Sequence, residues 1–128
     1  MKRVKIDLDK CPKCEVEFTS VNKTNHHAIP KFLNPKMTIL IPLCKDCHLE
    51  LNNAYLHSQT KKDLQDLQTM EKIENRGTSL GADFDSFNDK YLFLREQFHS
   101  RKIDRSKFGE GLWSNLMSYL ETLEKRIK

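Results

Sequence analysis

Hydrophobic and polar positions along the chain follow two rhythms. Up to residue 44 they favour extended structure: "EVEFTSV" at 15–21 alternates polar and apolar residues, and "MTILIPLC" at 37–44 is an apolar run rich in β-branched side chains. Both stretches are expected to be strands. From Asp46 the rhythm turns helical, with Leu49, Tyr55 and Leu56 as an apolar set in "DCHLELNNAYLHSQ". "TKKDLQDLQTMEKIENRG" then places Thr60 and Asp63 in capping-box spacing, carries Leu64, Leu67, Met70 and Ile73 along one side, and stops at Gly77. "TSLGAD" reads as a loop, after which Phe84, Phe87, Tyr91, Leu94 and Phe98 fall at helical intervals. That regular spacing marks the aromatic series as core rather than a base-stacking surface. A basic, polar stretch, "HSRKIDRSKFGEG", leads to a last helix bearing Leu112, Leu116, Leu120, Leu123 and Ile127, whose Lys125, Arg126 and Lys128 complement the helix dipole.

These elements predict an α+β chain: a small ββα module over residues 1–58, followed by a helical extension of about three helices over 59–128. The three helices are expected to pack as a bundle on the module or on a second copy of the chain, as a homodimer. No apolar stretch is long enough to span a membrane, and no apolar run follows the basic residues of "MKRVKIDLDK" as in a secretory signal. A soluble, cytoplasmic protein is expected.

In that compartment thiols stay reduced, which makes a metal a better explanation of the four cysteines than two disulfides. Cys11 and Cys14 form one C-x2-C pair, and Cys44 and Cys47 form a second. Two such knuckles place four thiolates around a zinc ion with no open coordination position, so the expected role is structural. The ion would tie the start of the chain to residue 47, over a segment too short to bury much apolar surface.

Two histidines, His26 and His27, stand between the knuckles, and His48 directly follows the last cysteine. His48 falls in the first turn of the predicted helix, with Asn52 one turn further on the same face. His26 and His48 could therefore hold a second, open divalent cation, with Asn52 as an oxygen ligand; an ordinary exposed asparagine is the alternative. His27 is then free of metal, and a neutral imidazole is suited to take a proton from water near pH 7. A cation beside a positioned base is what phosphodiester hydrolysis requires.

Taken together, "CPKC", "NHHAIPKFL" and "IPLCKDCHLELN" resemble the HNH endonuclease family, in its variant with two Cys-x-x-Cys knuckles around a ββα-metal core. The resemblance covers about residues 8–57. It implies His27 as general base, His26 and His48 as ligands of a catalytic magnesium or manganese ion, structural zinc on the four cysteines, and hydrolysis of DNA. The sequence departs from the family pattern at two positions. Ile39 stands where the family has an asparagine bracing the loop that carries the base, with Thr38 and Asn34 as nearby polar residues. Asn52 stands where some relatives have a further histidine, a change toward a harder ligand that favours magnesium or manganese over zinc.

Charge adds little discrimination: 22 basic against 18 acidic residues give +4, a mild surplus compatible with a polyanionic partner. Arg101, Lys102, Arg105 and Lys107 are the candidate phosphate contacts outside the motif, against the alternative of a solvated loop. Besides a nuclease, the sequence leaves open a zinc-stabilised nucleic-acid-binding module without cleavage and a protein adaptor with a helical tail.

Overall fold

The computed structural model describes residues 2–33, 35–74 and 79–127; Asn34, the helix stop at Gly77, and Lys128 lie outside the described residues. Strands β1 (Lys2–Lys5), β2 (Lys23–His27) and β3 (Met37–Cys44) form one sheet in the order β1-β3-β2. β3 is central, parallel to β1 and antiparallel to β2. Its apolar run explains the placement: every residue from Thr38 to Cys44 is buried, as expected of a strand covered on both faces. Pro42 is tolerated there because β1 pairs only with residues 37–40, leaving a neighbour on one side at that point. Four helices follow: α1 (Lys45–Ala54), α2 (Ser58–Ile73), α3 (Ser79–His99) and α4 (Arg105–Lys125). The α+β architecture read from the sequence is the one observed. Among the described residues no helix is long and apolar enough to cross a membrane.

The strand expected over 15–21 is absent, and its place in the sheet is taken by Lys23–His27. Its residues close the first knuckle instead. The Cys11 N–H donates to the Val16 carbonyl and the Glu15 N–H to the Cys11 carbonyl, each at 2.9 Å, with Glu15 at φ 63°. Thr19 and Asn22 then lock a turn through their side chains: the Thr19 N–H donates to Asn22 Oδ1 at 2.7 Å and Asn22 Nδ2 to the Glu17 carbonyl at 3.0 Å. Such side-chain to backbone bonds compete with strand pairing, and Val21 is left 69% exposed.

Helix bounds and registers differ from expectation in four places, the first being that α4 starts at Arg105, capped by Asp104, inside the stretch expected to separate it from α3. In α1 it is Leu51 that is buried, and Leu49 is 61% exposed. α2 begins at Ser58 after His57, so Thr60 is inside the helix and Asp63 accepts from Gln59 Nε2 at 2.9 Å rather than completing a box. Its stripe is buried only at Leu64 and partly at Leu67, while Met70 and Ile73 face solvent, Ile73 at 78% exposure. α3 starts at Ser79, so most of the expected loop is helical. Tertiary bonds override the propensity of Gly81 there: the Ser79 N–H donates to a Glu71 carboxylate at 2.8 Å, and Arg126 grips buried Asp83 through Nε at 2.9 Å and Nη2 at 2.7 Å.

The aromatic series of α3 packs into the core as its spacing predicts: Phe87 and Tyr91 are buried, and Phe87 meets Tyr119 of α4 at a 5.0 Å ring separation. One continuous hydrophobic cluster runs from Ile6, Leu8 and β3 through Leu51 and Leu64 to Phe108, Leu112, Leu116, Leu120 and Leu123 of α4. The helices are thereby fixed against the ββα unit.

Candidate metal centre and histidine cleft

The four cysteines converge from two turns. Their Sγ atoms all lie within 4.8 Å of one another, with Cys14 and Cys44 at 3.6 Å. Thiolates about 2.3 Å from a tetrahedral zinc ion would be roughly 3.8 Å apart, so this cluster fits a metal of that size. Cys44 also caps α1, its Sγ accepting the Cys47 N–H at 3.4 Å, which sets the second knuckle at the helix start. Burial pushes the Cys47 and Cys14 thiols up. At Cys11 burial acts in the same sense, but N–H groups of Cys14, Cys44 and Lys13 outweigh it and bring the thiol down to about 7. Capture of a metal by these thiols would displace protons, so its affinity would rise with pH.

On the other side of β2 a cleft of about 530 Å³ is lined by His26, His27, His48 and Asn52, together with Lys31, Phe32, Tyr55 and Lys61. The period of two in β2 puts Thr24 and His26 on one face, and His48 from the first turn of α1 meets both. The His26 and His48 rings stand edge to face, centroids 5.3 Å apart at 87°. Thr24 Oγ1 lies 2.8 Å from His48 Nδ1 and donates to the Leu43 carbonyl at 2.7 Å. His27, the last residue of β2, is half-buried at the edge of the sheet.

Burial pushes His26 down to about 3, with repulsion from His48 and His27 adding to it. Burial also lowers His48. His27 is lowered by burial first and then by the Lys31 and Arg3 charges. All three rings are thus neutral at pH 7, the form in which imidazole ligates a metal or accepts a proton. Nε2 of His26 and Nε2 of His27 are enclosed without a hydrogen-bond partner. Orphaned buried nitrogens of this kind call for a bound species, and the donor set of two imidazoles, an amide oxygen and open space suits a hydrated divalent cation. Asn52, exposed on α1, lines the same cleft.

Ile39 is fully buried and its carbonyl accepts the Ala28 N–H at 2.9 Å. The neighbouring Thr38, also fully buried, does what a side chain at that site can: its Oγ1 accepts the Ile29 N–H at 3.0 Å and donates to the Ile29 carbonyl at 3.3 Å. The backbone two residues after His27 is thereby pinned to β3.

The remaining cleft wall comes from elements beyond the motif. Gln68 Nε2 of α2 donates to the Leu33 carbonyl at 2.8 Å, fixing the short 3-10 turn Lys31–Leu33. Lys61 Nζ lies 6.0 Å from the Phe32 ring. Leu56, at φ 59°, has its N–H held by Glu124 of α4 at 2.8 Å. Sequence reasoning missed Thr24, Lys31 and Lys61, and no sequence signal marks Thr24 or Lys61, whose neighbours here are distant in the chain. Arg101, Lys102, Arg105 and Lys107 are exposed around the α3–α4 turn and are not among the described residues lining the cleft; Arg105 pairs with Asp9 at 2.6 Å.

No family model, curated protein or solved structure matches the chain.

Proposed function

We propose that the protein is a metal-dependent endonuclease of the HNH type that hydrolyses phosphodiester bonds in DNA. One observation carries this reading: three neutral imidazoles, two with orphaned nitrogens, share a single open cleft with Asn52 and two lysines, apart from the cysteine cluster. The tetrad is the structural centre and holds zinc, because four thiolates leave no position for substrate. His26 and His48, with Asn52, are the ligands of magnesium or manganese in the cleft. That cation, when bound, would offset charge on the scissile phosphate and the leaving oxygen.

His27 is the general base. Its lowered basicity leaves the ring unprotonated at pH 7, ready to accept a proton from the attacking water. Thr38 holds the backbone behind it. Lys31 and Lys61 bring positive charge to the cleft in which the phosphate chain would lie. Such contacts are blind to base sequence.

Plasmid DNA incubated with magnesium, manganese or chelator tests the reading. Divalent-dependent cleavage is expected, and its disappearance in His27→Ala with zinc content and fold retained. DNA binding without cleavage in any metal would instead select a silent binding module, and no DNA affinity at all would leave the adaptor.

A further inference from the structure

Thr24 lies outside the motif, yet it touches the one imidazole that joins β2 to α1. Its hydroxyl has a single hydrogen, and two neighbours compete for it. The Leu43 carbonyl, 2.7 Å away on the cross-strand partner of Thr24, can only accept. His48 Nδ1, 2.8 Å from the same oxygen, can donate or accept according to tautomer. Both contacts are satisfied together in one arrangement: the hydroxyl donates to Leu43, and the His48 Nδ1–H donates to the hydroxyl. The lone pair of the neutral ring then resides on Nε2.

We infer that Thr24 is a positioning residue that locks His48 as its Nδ1–H tautomer, so that Nε2 presents the lone pair to the divalent cation of the cleft. The cation half of this statement rests on the proposed catalytic metal site; the tautomer half rests on the two distances alone. Because β2 and β3 are paired here and the acceptor is a backbone carbonyl, the chain Leu43–Thr24–His48 is anchored to the sheet and not to mobile side chains. Ligating histidines commonly donate their second ring nitrogen to such a partner, which fixes ring orientation. The Thr24 hydroxyl serves here, carrying the order of the sheet to the first turn of α1.

The test uses the whole 128-residue chain, zinc-loaded, as wild type and as the Thr24→Val, Thr24→Ser and His48→Ala variants, with zinc content and circular dichroism verifying the fold. Long-range proton–nitrogen spectra at pH 8 without added divalent cation read the tautomer. The wild type and Thr24→Ser are expected to show His48 protonated on Nδ1, and Thr24→Val to move protonation toward Nε2. Mn²⁺ titration followed by electron paramagnetic resonance is expected to show affinity lost in His48→Ala, reduced about tenfold or more in Thr24→Val, and restored in Thr24→Ser. An Nε2–H tautomer in the wild type overturns the inference even where His48→Ala abolishes Mn²⁺ binding and the metal site stands. An Nδ1–H tautomer with Mn²⁺ binding indifferent to His48→Ala overturns the ligand role and the metal site together, leaving the tautomer lock as a structural feature. Unchanged spectra and affinity in Thr24→Val overturn it outright.

Discussion

His26 and His48 meet edge to face at 5.3 Å although one lies on a strand and the other in the first turn of a helix. Two features join them. The antiparallel pairing of His26 with Ile41 sets β2 against β3, and Cys44 caps the helix in which His48 follows Cys47. The cysteine cluster and the histidine cleft are therefore geometrically dependent while chemically separate.

Loss of the metal from the tetrad should disorder the cleft. Each chain is expected to carry one zinc by atomic emission. Cys47→Ser should lower zinc content and melting temperature together, because binding energy at such a site is folding energy. Mn²⁺ binding should fall with them.

Thr38→Val removes both bonds to Ile29 at nearly constant volume and leaves a buried N–H unpaired. A loss of about 1–3 kcal/mol of stability is expected by denaturant titration. In the proposed nuclease, kcat should drop more than Mn²⁺ affinity, because the pinned Ile29 is nearer in the chain to the base His27 than to the ligand His26, which is held by its own pairing with Ile41.

The pH profile follows from the direction of the His27 shift. Its neutral form persists below the ordinary imidazole value of 6.5, so the acid limb of kcat/KM should lie lower in pH than that of a free imidazole. Lys31→Gln removes one of the charges that depress His27 and should move the acid limb upward. A downward displacement would contradict the assignment.

Acid stability should show His26. Its folded-state value of about 3 lies below the unfolded 6.5, so its contribution is fully present above pH 6.5 and erodes as the pH falls toward 3. The slope is on the order of 1 kcal/mol per pH unit. His26→Gln should lack this component, so the stability gap between wild type and variant should change between pH 7.5 and 5.5.

Lys61→Ala should weaken DNA binding evenly across sequences and reduce the salt slope by about one. The double change Arg101→Ala and Lys102→Ala, on the α3–α4 turn, should have a smaller effect on DNA affinity, since neither residue is among the described residues lining the cleft. Titration of fluorescent duplexes at several salt concentrations measures both.

The parts of the fold legible in the sequence are those whose burial is written in apolar side chains. β3 is a continuous apolar run and is read correctly; α4 carries its leucines on one face, so its apolar face is read, while its first turns fall in a stretch whose polar residues hide them. β2 is "KTNHH", polar throughout on the edge of the sheet, with its histidines lining the cleft, and no hydrophobic rhythm can announce it. "EVEFTSV" has that rhythm but also the Thr19 and Asn22 that turn the chain. The cysteine cluster is legible because spacing alone dictates a knuckle. Thr24 and Lys61 are not, because their meaning lies in partners on β3, on α1 and in the 3-10 turn that only folding supplies, and Thr38 is legible only as a polar neighbour of Ile39, its bonds to Ile29 coming from the fold.

Leu56 is held in a left-handed backbone conformation by a carboxylate near the far end of the chain, and Leu120 lies beside it in the same wall. A truncated chain ending at residue 58 would keep every cysteine and all three cleft histidines yet lose that buttress, Lys61 and the tether on Leu33. Transplanting the motif alone would carry the reagents without the vessel.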